Sequence, residues 1–255
     1  MKRLDPMYRL LIGDEHGGAP TRIDATGDLQ KMAAQLDRIQ PGDGAAFHRF
    51  IADNRRKLAL MEPILRSPIR GLADLMNLDT LKAAPVLRPW ESIHTHLKRY
   101  FKSDQARLSM CFQSKYLGMS PFECPSLFSI LPFIEYEYGV WHPIGGCNAL
   151  TTAMAQACTL LGARIETASP VSRILFDGKR ANGVVVHSAE RRFDHIVINA
   201  DATWALKNLI PESLRPRGYR DAAIDAKRYS CSTFMLYLGL DGKVDLPHHT
   251  IYTST

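Results

Sequence analysis

The sequence predicts a mixed α/β fold, and three observations carry that reading. From Thr26 to about Ser126, apolar residues recur at three- and four-residue steps, the spacing of one helical face. After Gly145-Gly146 the pattern changes to a helix followed by short β-type runs, the order of an α/β unit. The run "HIVIN" (His195 to Asn199) is apolar at its centre, as in strands covered on both faces.

The first helix is expected from Leu29, Met32, Leu36 and Ile39, between a Thr-Gly-Asp start and a Pro41-Gly42 stop. Asp43 then stands where an N-cap belongs. Phe47, Phe50, Ile51, Leu58 and Met61 form the stripe of a second helix running towards Pro63. Further helices are expected over Gly71 to Ala83 and Glu91 to about Gly118, with Pro85 and Pro89 marking the loop between them.

Beyond Gly146, the spacing of Leu150, Met154, Ala157 and Leu161 predicts a helix closed by Gly162. Strands are expected at Arg164 to Thr167, at Val171 to Phe176 before the turn Asp177-Gly178, at Gly183 to His187 and at His195 to Asn199. A hairpin inserted on a parallel sheet explains that order. "CSTFMLYLGL" (Cys231 to Leu240) reads as one more strand, and the extended "HHTIYTST" that follows suggests a chain cut inside a strand pattern.

With 255 residues, 45% hydrophobic and 23% charged, the chain can bury a substantial core in one large or two modest domains. No run approaches the roughly 18 apolar residues of a spanning helix, and no secretion signal stands at the N-terminus, so a cytoplasmic protein is expected. Five scattered cysteines with no C-x-x-C pair argue against a disulfide framework or a zinc site. The net charge of +6 suits an anionic membrane surface. Its short basic clusters, Arg55-Arg56-Lys57 and Arg191-Arg192, lack the aromatic interleaving of a nucleic-acid binder. No metal site is expected: His94 and His96 point apart on a helix, and His248 and His249 alternate faces if extended.

"PGD" (Pro41 to Asp43), "GMSPF" (Gly118 to Phe122), "GVWHPIGGCNAL" (Gly139 to Leu150), "NAD" (Asn199 to Asp201) and "RYSCSTFMLYLGL" (Arg228 to Leu240) stand in one order. Together they resemble the bacterial-type phytoene desaturases, a family of FAD-dependent carotenoid desaturases. "LDPMYRL" (Leu4 to Leu10) and "LPHHTIY" (Leu246 to Tyr252) resemble that family's segments too. The resemblance implies a Rossmann-like FAD-binding domain interrupted by a substrate domain and a helical, membrane-facing region. On that template, residues 1–25 and 211–255 belong to the substrate domain, 26–126 to the helical region and 127–210 to the FAD-binding domain. It also implies double-bond introduction into a long isoprenoid hydrocarbon, at the membrane periphery. Relatives with other chemistry fit the same template, among them a carotenoid isomerase, a ketolase-like oxidase and a retinol saturase. A non-catalytic lipid-binding remnant is the rival of another class.

The family's G-x-G-x-x-G fingerprint is absent from the sequence, which therefore reads as the middle of a desaturase. Gly145 and Gly146 either bring backbone close to the cofactor or only permit a tight turn. Val171 begins the strand that, by the resemblance, meets the adenine end of FAD through its backbone. Ala200 and Asp201 end the next strand, where Asp201 is either a cofactor contact or a helix N-cap. Phe128, Phe133, Tyr136 and Trp141 are either walls of an apolar substrate tunnel or plain core. Glu135 is the candidate catalytic carboxylate. It is expected to face the same side as Glu137 if the segment is extended, and Asp5 is a weaker candidate.

Overall fold

A computed structural model describes residues 1–13, 18–71, 74, 76 and 78–254. In chain order its elements begin with β1 (Lys2–Arg3), β2 (Tyr8–Gly13), β3 (Thr21–Ala25), α1 (Leu29–Ile39), α2 (Asp43–Arg66) and α3 (Leu78–Leu87). Next come α4 (Ile93–Leu97), α5 (Asp104–Ser109), a 3-10 helix at Phe112–Leu117, α6 (Ile130–Tyr138), β4 (Trp141–His142) and α7 (Cys147–Leu160). The chain closes with β5 (Val171–Asp177), β6 (Arg180–Val186), β7 (Ala189–Arg192), α8 (Ala202–Leu209), α9 (Asp221–Asp225) and β8 (Thr250–Ser254). It divides into two compact units, Met1–Ala149 with Ser230–Thr255, and Leu150–Tyr229.

In the first unit, β2 is the centre of a three-stranded sheet. It pairs antiparallel with β3 and parallel with β8. Tyr8, Leu10 and Ile12 alternate inward from β2, while Arg9 on the other face holds Asp24 of β3 at 2.6 Å. The inward side chains meet Met32 and Leu36 of α1 and Phe47 and Phe50 of α2, all fully buried. Each such side chain contributes roughly 1.5–3 kcal/mol relative to exposure.

The first helix runs where the spacing places it, with Asp28 as N-cap accepting from the backbone of Gln30 and Lys31. At the second helix the expectation fails in an instructive way. Asp43 is the first helical residue rather than the cap, and its buried carboxylate accepts from the backbone N–H of Lys102 and Ser103 and from the Ser103 hydroxyl. The capping work falls to Asp37, whose Oδ1 accepts from both Gly42 and Gly44 at 2.9 Å. At Gly44, α2 lies close against α1: a Cβ there would be 2.5 Å from the Ala33 carbonyl oxygen.

Helix α2 continues past Pro63 to Arg66, and Pro85 lies inside α3 rather than in the loop before Pro89. Within the expected Gly71 to Ala83 helix, residues 72, 73, 75 and 77 lie outside the described residues. The single helix expected from Glu91 to Gly118 is three short ones. Ser92 and Ser103 restart the chain as N-caps, accepting from Thr95 and Ala106, because short hydroxyl side chains compete for backbone N–H groups.

The second unit holds an antiparallel meander, β5-β6-β7, with α8 packed on β5 through Ile174, Ala205 and Leu209. The Asp177-Gly178 turn and the strand from Val171 stand as expected, and β7 is an addition. Among the described residues of this unit the expected parallel sheet does not form. Arg164 to Thr167 and His195 to Asn199 carry no strand pairing among the described residues, and Val197 is 91% exposed. Cys231 to Leu240, in the first unit, is likewise unpaired, with Phe234 87% and Tyr237 88% exposed. A β-type run becomes a strand only when a neighbour takes up its backbone groups, and the described residues supply none here. Helix α7 forms as predicted and its chain turns at Gly162 (φ +90°), yet none of its residues is buried.

Candidate active site

The segment carrying Glu135 and Glu137 is helical, not extended, so the two carboxylates do not share a side. Glu137 turns to Arg55, which grips it through Nε (3.0 Å) and Nη2 (2.6 Å) and holds its carboxyl below the usual range. Glu135 turns inward. Gln113 Nε2 donates to Glu135 Oε2 at 2.9 Å and to the Tyr8 hydroxyl at 3.2 Å, while the Tyr8 and Tyr136 hydroxyls are 3.5 Å apart.

Burial sets the chemistry of this group. It pushes the Glu135 carboxyl above its ordinary value, against the lowering pull of the Gln113 hydrogen bond, and it raises the Tyr8 and Tyr136 phenols. The Gln113 Oε1 atom is buried with no hydrogen-bond partner among the described residues. A half-buried carboxyl with raised basicity, oriented by an amide and flanked by neutral phenols, can accept a proton or stand opposite a developing positive charge. Sequence reasoning missed Gln113 and Tyr8. They reach Glu135 and Tyr136 only through tertiary folding, and no spacing marks them, although Tyr8 stands inside the "LDPMYRL" string.

The four aromatic candidates part company. Phe133 and Tyr136 are core, 1% and 2% exposed, with Tyr136 edge-on to Phe47 at 5.0 Å. Phe128 is half-buried against that core. Trp141 is exposed, beneath the Arg3 guanidinium at 6.0 Å. Asp5 lines an open pocket with Asp24, Lys31 and Arg38.

Gly145 and Gly146 both have left-handed backbone (φ +86° and +84°), and a Cβ on Gly146 would meet nothing within 4 Å. In the second unit Val171 opens β5, Ala200 is exposed, and Asp201 caps α8 by accepting from Trp204 N–H at 2.7 Å. The glycines and the Val171, Ala200 and Asp201 group therefore lie in different units. Gly146 has the open backbone that close approach of a cofactor needs, and the sequence has no G-x-G-x-x-G turn to cradle a pyrophosphate.

Among the described residues no group of three or more His, Cys, Asp or Glu could hold a metal ion. His94 packs at a tilt against Phe122 and His96 is buried beside Lys57. The His248 and His249 rings do not diverge as an extended segment would have them: their Nδ1 atoms are 2.9 Å apart, and His248 also packs at a tilt against His142.

The sequence pattern of flavin-containing amine oxidoreductases matches residues 26–251. The chain belongs to that family. Flavin is the cofactor that this membership carries. Among characterised relatives, a 4,4'-diapophytoene desaturase (4,4'-diapolycopene-forming) of a Methylomonas species is 39% identical over 249 residues, covering 97% of this chain and 47% of that protein. An all-trans-zeta-carotene desaturase of Myxococcus xanthus is 37% identical, covering 99% and 49%, and a carotenoid 3,4-desaturase of Haloarcula japonica is 31% identical, covering 100% and 51%. The chain spans about half the length of the curated relatives it matches. The mixed α/β architecture agrees with this family, and among the described residues no helix is long and apolar enough to cross a membrane.

Proposed function

We propose that the gene product carrying these 255 residues is an FAD-dependent carotenoid desaturase that introduces double bonds into a long isoprenoid hydrocarbon of the phytoene type. The observation that carries this reading is the half-buried Glu135 carboxyl, raised by burial and oriented by Gln113, in a chain whose relatives are named carotenoid desaturases.

Flavin, when bound, supplies the acceptor for the hydride that leaves the substrate. This chain's own residues do the rest. Glu135 takes the proton from the neighbouring carbon, and Gln113 fixes its Oε2 for that transfer. The hydrocarbon has no hydrogen-bonding handle, so it is held by apolar burial, worth roughly 25 cal/mol per Å². Trp141 and Phe128, which keep accessible surface, touch it, while Phe133 and Tyr136 give the support behind them. Gly145 and Gly146 are the proposed backbone contacts to flavin within the first unit, and Val171 and Ala200 those within the second. In this reading the helical region at 26–126 faces the membrane, and the protein sits peripherally at the cytoplasmic leaflet, drawn by its net charge of +6.

The test is expression of that gene product, with and without Glu135→Gln, in cells making an acyclic carotenoid precursor. Wild type should yield products with added conjugation, and the variant should lose conversion about 100-fold or more while keeping its flavin absorbance. Full activity in Glu135→Gln would remove that residue from the mechanism. No conversion of any acyclic precursor by wild type would overturn the reading itself.

A further inference from the structure

A second cluster of charge lies away from Glu135. A cavity of about 230 Å³ is walled by α2, the end of α3 and α4. Four cations line it: Arg56 and Lys57 from α2, Arg88 just beyond α3, and Arg99 beyond α4. The acids facing them are Asp53 and Glu91, so four positive and two negative charges leave an excess of two.

Those acids are already engaged. Asp53 accepts from the Tyr100 hydroxyl at 2.7 Å, and Glu91 is held by Arg99 at 3.0 Å, with Arg88 more distant at 3.8 Å. Among the described residues no carboxylate lies within ion-pair distance of Arg56 or Lys57.

Lys57 is the floor of the cavity, 2% exposed. Its Nζ lies 2.8 Å from His96 Nε2 and donates to Ser129 Oγ at 2.9 Å, and Ser129 in turn donates to Asn54 Oδ1 at 2.7 Å. Because the ammonium can only donate, His96 accepts at Nε2 and carries its proton on Nδ1. That Nδ1 is buried, 3.5 Å from Glu91 Oε2, and neither atom has a hydrogen-bond partner among the described residues. An ammonium in the interior normally has a paired charge, and this one has only neutral acceptors. Arg88, at the rim, is held in left-handed backbone (φ +46°), an unfavoured conformation for an arginine that the surrounding structure must maintain.

We propose that this cavity binds a phosphate group, presented either by an anionic lipid headgroup or by a free phosphate or soluble phosphate ester. Guanidinium forks match the oxygens of a tetrahedral anion two at a time, and the buried ammonium is the point charge beneath it. The excess of two positive charges fits a phosphate dianion better than a single carboxylate. A hydrocarbon substrate cannot be its occupant. The inference does not depend on the desaturase reading, since among the described residues no lining residue of the cavity shares a hydrogen bond with Glu135, Gln113 or Tyr8.

The test uses two rim variants, Arg56→Gln and Arg88→Gln, chosen because neither side chain is core, with Arg191→Gln of the second unit as a basic control. In one arm, inorganic phosphate is titrated and followed by calorimetry. In the other, phosphatidylcholine vesicles with and without phosphatidic acid are floated in the presence of the protein. Saturable binding in either arm, weakened about tenfold or more by each rim variant and unchanged by the control, is the expected result. Binding of phosphate without flotation identifies a soluble ligand, whereas flotation on phosphatidic acid alone identifies the headgroup. Binding in neither arm, or losses no greater for the rim variants than for Arg191→Gln, overturns the proposal.

Discussion

Gln113 and Glu135, 22 residues apart, are joined by one hydrogen bond of 2.9 Å, and that bond opposes what burial does to the carboxyl. Burial raises the Glu135 pKa and the amide lowers it. Replacing Gln113 with Leu removes only the lowering influence, so the carboxyl should titrate higher still. The acid limb of kcat against pH should then move to higher pH, with kcat at neutral pH falling about tenfold and KM little changed. A variant that loses activity with an unmoved acid limb would show that Gln113 supports the fold and not the proton acceptor.

The approach of α1 and α2 makes a sharper test of packing. A methyl on Gly44 would meet the Ala33 carbonyl oxygen at 2.5 Å, and a backbone atom cannot swing away. Gly44→Ala should lower stability by roughly 1–3 kcal/mol, read as a lower denaturant midpoint at unchanged m-value. Asp43→Ala should cost roughly 3 kcal/mol, because three donors at Lys102 and Ser103 lose a buried charged acceptor. If Asp43 were an ordinary N-cap, Asp43→Ser would restore stability, and here it should not.

These two residues also show where sequence reading succeeds and where it stops. The first helix is legible in the sequence, because its stripe, its Thr-Gly-Asp start and its Pro-Gly stop are all local. Asp43 was misassigned, because its partners lie about sixty residues away and no spacing announces them. The Glu91 to Gly118 stretch reads as one helix from the face shared by Ile93, Leu97, Tyr100 and Phe101, yet Ser92 and Ser103 divide it. Glu135 could be singled out only with the family resemblance in hand, and the helix around it, which separates it from Glu137, came from the structure. The strand readings at His195 and Cys231 identified apolar runs correctly and erred in assigning them partners.

Those unpartnered runs have a consequence in solution. Phe234, Leu236 and Tyr237 are 87%, 68% and 88% exposed within one β-type stretch, the kind of segment that pairs with another copy of itself. The isolated 255-residue chain should therefore scatter light at micromolar concentration, and Phe234→Lys with Tyr237→Lys should raise the soluble fraction several-fold without altering far-UV circular dichroism. Equal solubility of variant and wild type would show that this stretch is covered in solution.

Lys57 should leave its own mark on stability against pH. Burial pushes its ammonium down to about 8, with Arg88 adding to that and Asp53 and Glu91 opposing it. His96, itself held low by burial, is the neutral acceptor beside it. The folded value lies below the ordinary 10.5, so between about 8 and 10.5 the unfolded chain binds more protons. Stability from this group therefore rises as pH rises through that window, and below it the buried charge is a net cost. Lys57→Met removes both effects. The stability difference between wild type and Lys57→Met should thus shift towards wild type by roughly 3 kcal/mol from pH 7 to pH 10.5. Cys111, pushed up to about 12 by burial, acts in the opposite direction but is common to both proteins and cancels in the difference. Saturating phosphate should flatten the dependence, because an anion over the ammonium restores the charged form. A difference that is flat without phosphate would mean that Lys57 reaches water or a carboxylate, and the cavity would then lack its buried cation.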